Sequence, residues 1–221
     1  MQLPPLFAFL VGLDARNDRA WFQERKVQYD QLRAEFELDV AFWRQELNRH
    51  DPVLAGPMGR ISVFRIYRDV RFSKNKAPYK THFSAYITAS VGKEIDAPGY
   101  YVQVGPGGQT LVAGGLYQPE KAQLAAIRQE IDYNSDALKA VLRAPGFRQY
   151  FPVLGGGRLK KVPAGYDPTH PEIELLKHKS FVASHEIPDA EALAQADFRG
   201  YVLERLRALV PFSQFLREAV G

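Results

Sequence analysis

The apolar residues of this chain change period once, near residue 52, and that change limits the folds open to it. From Asp18 to Arg49, the residues Phe22, Tyr29, Leu32, Phe36, Val40, Trp43 and Leu47 recur at steps of three, four and seven, with polar residues between them. This is the pattern of an amphipathic helix. Asp18 is placed to cap it, and the stretch reads as one long helix or two. Pro52, Gly56, Pro57 and Gly59 then interrupt the pattern. Beyond them the period is two, and residues 60–69, 83–90, 99–104 and 110–117 read as strands, rich in Val, Ile, Tyr, Phe and Thr. The links 92–98 and 105–108 are short and turn-like, which favours an antiparallel meander.

Helical signals return after the strands. Pro119 is expected in the first turn of a helix whose stripe is Leu124, Ile127 and Ile131, with a further helix near 135–143 ending at Pro145-Gly146. Residues 155–171 hold four glycines and three prolines and are expected as a long loop of the kind that is often functional. One more strand is expected near 179–187, and an amphipathic helix over 190–209. The apolar run 6–13 lacks a basic leader and a cleavage site and is too short to span a bilayer, so it reads as a first helix packed on the body. The order helices, sheet, helices predicts an α+β fold: a mainly antiparallel sheet covered on one face by N- and C-terminal helices. A single domain over 1–221 is expected, with N-terminal helices at 5–50, a sheet core at 60–117 and a helical and loop part at 118–221.

Hydrophobic residues make up 46% of the 221 positions and charged residues 24%, which excludes wholesale disorder. There is no cysteine, hence no disulfide framework and no thiolate metal site, and a cytoplasmic location is expected. The formal charge is +4, yet residues 65–80 alone carry +5, leaving −1 for the rest. A duplex-binding protein spreads its phosphate contacts over a face. Charge so concentrated points at least as well to one bound anion.

Four blocks of sequence stand out. They are Asn17-Asp18-Arg19-Ala20-Trp21-Phe22; Arg65-Ile66-Tyr67-Arg68-Asp69-Val70-Arg71-Phe72-Ser73 through Lys76, Pro78-Tyr79-Lys80 and His82; Gly114-Gly115-Leu116-Tyr117-Gln118-Pro119; and Leu159-Lys160-Lys161-Val162-Pro163-Ala164-Gly165-Tyr166-Asp167 with His170-Pro171. On these blocks, which run from near residue 6 to near residue 187, the chain resembles the bacterial and fungal family of conserved hypothetical proteins catalogued as domain of unknown function twenty-four sixty-one. The resemblance implies which segments matter and is silent on chemistry.

The second block is the principal candidate site. Strict alternation over 60–69 would send Phe64 and Ile66 to the core and Val63, Arg65, Tyr67 and Asp69 to the opposite face. The next strands would add His82, Ser84, Tyr86, Tyr101 and Gln103 to that polar face. Arg binds phosphate or carboxylate in a fork, Tyr offers a stacking surface, and His titrates near neutrality. A wet face of an antiparallel sheet has the same alternation without any ligand. Ligand contacts are expected from Arg65, Tyr67, Arg68, Arg71, Lys76, Tyr79, Lys80 and Tyr86, with Asp69 and His82 as acid–base candidates. Because alternation puts Arg68 on the other face, its participation requires a bulge or an earlier strand end.

Gly114 and Gly115 before the Pro119 helix, with Tyr117, form a second candidate, since glycines admit a ligand to the backbone and a helix start attracts anions. A tight turn explains them as well. The run Gly155-Gly156-Gly157-Arg158-Leu159-Lys160-Lys161, Lys160 above all, is a third candidate, as a lid or as a solvated loop. Asp167 and His170 lack a third ligand at metal spacing, so no metal is expected; whether a cofactor takes part is unknown. The favoured expectation is an anionic small molecule bearing phosphate or carboxylate, with acid–base turnover open. The alternative is nucleic-acid or protein-partner binding through the same basic segment, without catalysis and without a membrane.

Overall fold

The computed structural model describes residues 1–55, 59–89 and 97–221. Ser90, Gly56 and Pro57, and most of the turn expected over 92–98, lie outside the described residues. Helix α1 (Leu3–Ala15) buries Leu6, Phe9, Leu10 and Leu13. The periodic stretch that follows is two helices, α2 (Arg19–Glu24) and α3 (Lys26–Asn48), parted at Arg25. Asp18 caps α2 by accepting from the Trp21 N–H at 2.9 Å.

The strands are β1 (Gly59–Val63), β2 (Phe83–Ala89), β3 (Gly99–Val104) and β4 (Leu111–Leu116). They are followed by α4 (Lys121–Arg143), α5 (Pro145–Arg148), the short β5 (Leu154–Gly155), α6 (Ile173–Leu176) and β6 (Phe181–Glu186). Helices α7 (Asp189–Leu193), α8 (Phe198–Ala208) and α9 (Val210–Val220) complete the described elements. Among the described residues the strands form one antiparallel sheet in the order β1-β2-β3-β4-β6-β5. The fold is α+β, and no helix of the described residues is long and apolar enough to cross a membrane.

The register sorts the side chains. Phe83, Ala85 and Ile87 of β2 share a face with Tyr100, Val102 and Val104 of β3, and all are buried. Val112, Leu116, Phe181 and Ala183 continue that face through β4 and β6. Helices α3, α8 and α9 pack against it, with the Phe83 ring between Tyr29 and Phe36 at 5.7 Å from each. The Trp43 indole N–H donates to the Arg199 carbonyl at 2.9 Å and joins α3 to the first turn of α8.

Several boundaries depart from the periodic pattern, each for a local reason. The first strand ends at Val63, and Val63 pairs with Ala85 on the helix-covered side. Phe64 adds one ladder bond, its N–H donating to the Ser84 carbonyl, and therefore lies on the opposite face with Ser84. The expected inward Phe64 and outward Val63 are thus exchanged. Pro119 precedes α4 rather than opening it, because Glu120 and Gln123 close a reciprocal capping box. Asn134 has non-helical torsions inside α4, which separates the two helical stripes seen in the sequence. The stretch 190–209 is two helices because Asp197 accepts from the Gly200 N–H at 2.9 Å and restarts the chain as α8.

One buried polar cluster ties the turn after α3 to the sheet and to α9. Asp51, 1% exposed, receives the Tyr100 hydroxyl at 2.6 Å and the Arg217 guanidinium. Burial, then the Asp51 charge, pushes the Tyr100 phenol far above its usual range, so it serves as a permanent donor. Replacing one partner of such a pair strands the other charge. Arg217→Ala is expected to lower the unfolding free energy by about 3–5 kcal/mol, measured by urea denaturation, whereas a loss under 1 kcal/mol would show Asp51 to be satisfied without it.

Candidate functional site

The face of the sheet turned away from the helices carries Tyr86, Tyr101 and Ala113 in one cross-strand row. Gly99, Gly115 and Val182 form the neighbouring row. Gly99 lets the Tyr86 ring lie against the sheet, since a Cβ there would stand 2.8 Å from Tyr86 Cζ. The Tyr86 hydroxyl donates to the Ala97 carbonyl at 2.8 Å, and burial raises its pKa well above the ordinary phenol value. Gly115 has φ +116°, and a Cβ there would meet the Phe181 carbonyl oxygen at 2.1 Å. Only glycine tolerates that backbone and that approach.

Glycine and alanine form the floor of a cavity of about 500 Å³, walled by Phe64, Tyr101, Tyr117, Gln118 and Val182 and reaching Tyr86 and Gly114. The Phe64 and Tyr101 rings stand 6.3 Å apart. Tyr101 is oriented by its hydroxyl, which donates to Gln103 Oε1 at 2.8 Å, while Gln103 Nε2 donates to the Gln109 carbonyl at 2.7 Å. Burial raises the Tyr101 pKa, against a hydrogen bond from Ser84 that lowers it. Tyr117 is 64% exposed, and Gln118 follows it with φ +50°, its N–H held by Ser180 Oγ at 2.9 Å. Phe64 and Tyr101 are partly exposed and Tyr117 largely so, which makes this part of the wall accessible from solvent.

The basic segment borders this cavity as a closed loop rather than a continued strand. Tyr67 and Tyr79 form a bridge, flanked by Arg68 N–H to the Pro78 carbonyl and Lys80 N–H to the Ile66 carbonyl, both 2.8 Å. The Asn17 side chain grips both backbone groups of Tyr79, donating to its carbonyl at 3.1 Å and accepting its N–H at 3.0 Å. Tyr79 also stacks on Phe22 at 4.2 Å, and Tyr67 meets Phe22 edge-on at 5.9 Å. The first and second sequence blocks are therefore one unit.

The cations of this loop divide into two groups. Arg71 forks onto Asp69 at 2.6 Å, and its hydrogen bonds hold the Asp69 carboxyl below the usual carboxylate range. Arg68 donates to the Ala77 carbonyl at 3.0 Å, and Lys76 to the Val70 carbonyl at 3.0 Å. Arg65 and Lys80 make no side-chain hydrogen bond or ion pair among the described residues. The Lys80 ammonium lies 5.4 Å over the Phe64 ring that lines the cavity. Burial, then the Arg65 charge, lowers the Lys80 pKa.

The acid–base candidates lie apart. Asp69 is exposed on the loop with Arg71, whereas half-buried His82 faces Gln109 Oε1 at 3.2 Å. Neither lines the cavity. The cavity does contain Tyr86, Gly114, Gly115 and Tyr117 from the expected set, and adds Phe64, Tyr101, Ala113, Gln118 and Val182. Alternation carried past the strand end puts Phe64 on the wrong face, because a ladder bond beyond Val63 is not visible in sequence. Tyr101 was visible as an outward residue of the third strand.

The start of the glycine run is anchored. Leu154 and Gly155 pair with β6, Gly157 accepts from the Lys179 N–H at 3.0 Å, and Arg158 Nε donates to His178 Nε2 at 3.2 Å. Burial, then Arg158, lowers the His178 pKa. Lys160 is exposed and outside the cavity lining. His170 pairs with Asp132 at 3.0 Å, Asp167 bonds Thr169, and no group of metal-ligating side chains occurs among the described residues.

Two outcomes follow from these contacts. Asn17→Ala is expected to cost roughly 1–3 kcal/mol and to speed hydrogen exchange at Tyr79 and Lys80; unchanged exchange there would sever the two blocks. The His82 pKa is lowered by burial, then by Lys80, with Gln109 opposing. Its neutral form therefore supports the fold fully above the unfolded value of about 6.5 and loses that support as pH falls through the lowered folded value. His82→Gln should make the acid limb of stability less steep, as followed by denaturant midpoints between pH 7 and 4.

No curated protein and no solved structure matched the chain. The family model described as conserved hypothetical protein (DUF2461) matches residues 5–215, nearly the whole length. The chain with the Asn17–Tyr79 clasp and the open aromatic sheet face belongs to that family.

Proposed function

We propose that this chain binds an anionic small molecule with a planar ring. The ring enters the cavity between Phe64, Tyr101 and Tyr117, and the anion meets Lys80 and Arg65 at its edge. The observation carrying this reading is the juxtaposition of a glycine- and alanine-floored aromatic cavity with an unpaired lysine held over one of its wall rings. Small floor residues admit a flat group to the sheet, and aromatic walls favour offset or edge-on ring contacts. A half-buried ammonium gains more from an anion than an exposed one does, because less solvent screens the pair. The reading concerns binding: Asp69 is engaged by Arg71 and His82 faces Gln109, whereas Lys80 lies over a ring of the cavity wall.

A second reading, single-stranded nucleic acid on the basic loop, is favoured by Phe72, 94% exposed beside the Arg71 guanidinium. Exposed rings among cations stack bases. Steep loss of oligonucleotide binding with salt would favour it over the pocket.

A thermal-shift screen of aromatic carboxylates and phosphates tests the first reading. A ligand at about 100 times its dissociation constant adds about 2.7 kcal/mol of stability. Tyr101→Ala and Lys80→Ala are each expected to weaken such a ligand roughly tenfold, about 1.4 kcal/mol. Because Lys80 is depressed in the free protein, binding should weaken as pH rises through its lowered pKa and the ammonium is lost. Binding indifferent to Tyr101→Ala would remove the cavity from the account.

A further inference from the structure

The charges left unmatched at the cavity edge say which anion fits. Of the segment's cations, Arg71 is matched by Asp69, while Arg68 and Lys76 are bonded to carbonyls of their own loop. Arg65 and Lys80 remain; Lys80 lies over the Phe64 ring of the cavity wall, and the Arg65 charge reaches it. The Arg65 charge reaches Asp69, whose oxygens are taken by Arg71. A carboxylate ligand would cancel one of these two charges and leave the other uncompensated. A phosphate monoester carries about −1.5 to −2 at neutral pH and three acceptor oxygens, enough for a guanidinium fork and an ammonium together.

The ring end of the cavity adds a second requirement. Gln118 stands at its rim with Nε2 donated to the Tyr117 hydroxyl at 3.2 Å, which leaves Oε1 to accept from a ligand. Tyr101 gives its hydroxyl proton to Gln103 and its oxygen takes a hydrogen bond from Ser84, so it offers a ligand the face of its ring. A ring bearing N–H or amino groups satisfies the Gln118 Oε1, while a bare hydrocarbon ring does not. We infer that the ligand is a phosphate monoester of a planar, N–H-bearing ring, the chemistry of a nucleoside monophosphate, with its phosphate bridging Arg65 and Lys80 and its base between Tyr101 and Tyr117. This rests on the ring-and-anion reading of the cavity and narrows it.

The experiment titrates the full chain by calorimetry with the four ribonucleoside 5′-monophosphates, the corresponding nucleosides and 2-naphthoate. At least one monophosphate is expected to bind, at least tenfold more tightly than its nucleoside and than 2-naphthoate. Arg65→Gln and Lys80→Gln should each reduce that affinity at least tenfold and leave the nucleoside unchanged, with thermal midpoints confirming folded variants. Tyr101→Ala should weaken monophosphate and nucleoside alike. If 2-naphthoate binds as tightly as every monophosphate and responds to the same variants, the phosphate assignment fails while the ring-and-anion reading stands. If no compound binds, both fall. A monophosphate that binds but ignores all three variants sits elsewhere and overturns the inference.

Discussion

The register of β2, β3, β4 and β6 is the constraint on which the molecule depends. A slip of one residue would turn Tyr100, Val102, Val112 and Ala183 from the helices to solvent, and the buried apolar surface forbids it. Once those residues face inward, Tyr86, Tyr101, Ala113 and Gly115 have no freedom to face anywhere but outward. The cavity is thus a by-product of core packing in its position, and a product of residue choice in its shape. Gly99 and Gly115 contribute nothing to the hydrophobic core by side chain, yet each stands where a Cβ would strike a neighbour. Their effect is to keep the outer face low in the middle while the aromatic residues around it stand high.

A second constraint connects the first helices to that face. The loop 64–82 lacks a sheet partner beyond Phe64 and holds its shape by the Tyr67–Tyr79 bridge and by the Asn17 clasp. Asn17 immediately precedes the residue that caps α2, so the start of that helix and the placement of Tyr79 are set together. Phe22, from the same helix, supplies the ring on which Tyr79 stacks. The clasp sets where Lys80 emerges, one residue after Tyr79, and hence why its stem can cross the Phe64 ring.

The sequence made much of this legible, and where it failed the failure has a cause. Period two over 83–90, 99–104 and 110–117 located the strands and their outward tyrosines because both faces of an antiparallel sheet leave a mark on composition. The same rule misplaced Phe64, since alternation holds only while the ladder does, and the end of β1 depends on pairing with β2. Asp69 was legible as an acid among cations, but its bond to Arg71 two residues away is a loop geometry that periodicity does not describe. The break within 190–209 was hidden because Asp197 is an ordinary polar residue until its carboxylate caps α8. The Gly155–Gly157 run looked like a flexible cover because glycine marks both mobility and close pairing; here Gly156 lies 2.6 Å, by a hypothetical Cβ, from Ser180.

The local charge excess acquires its meaning from which charges are bonded. Six cations within sixteen residues repel one another, and a loop carrying them closes only where acceptors offset part of that repulsion. Asp69 and the carbonyls of Val70 and Ala77 supply acceptors for three, and these interactions close the loop on itself. Lys74 is exposed to water, where solvation suffices. Lys80 differs because it is half-buried over an aromatic ring, which stabilises an ammonium less well than water or a carboxylate does. Such a charge raises the free energy of the empty protein and lowers it when an anion arrives, so the same burial that depresses the Lys80 pKa strengthens whatever binds beside it.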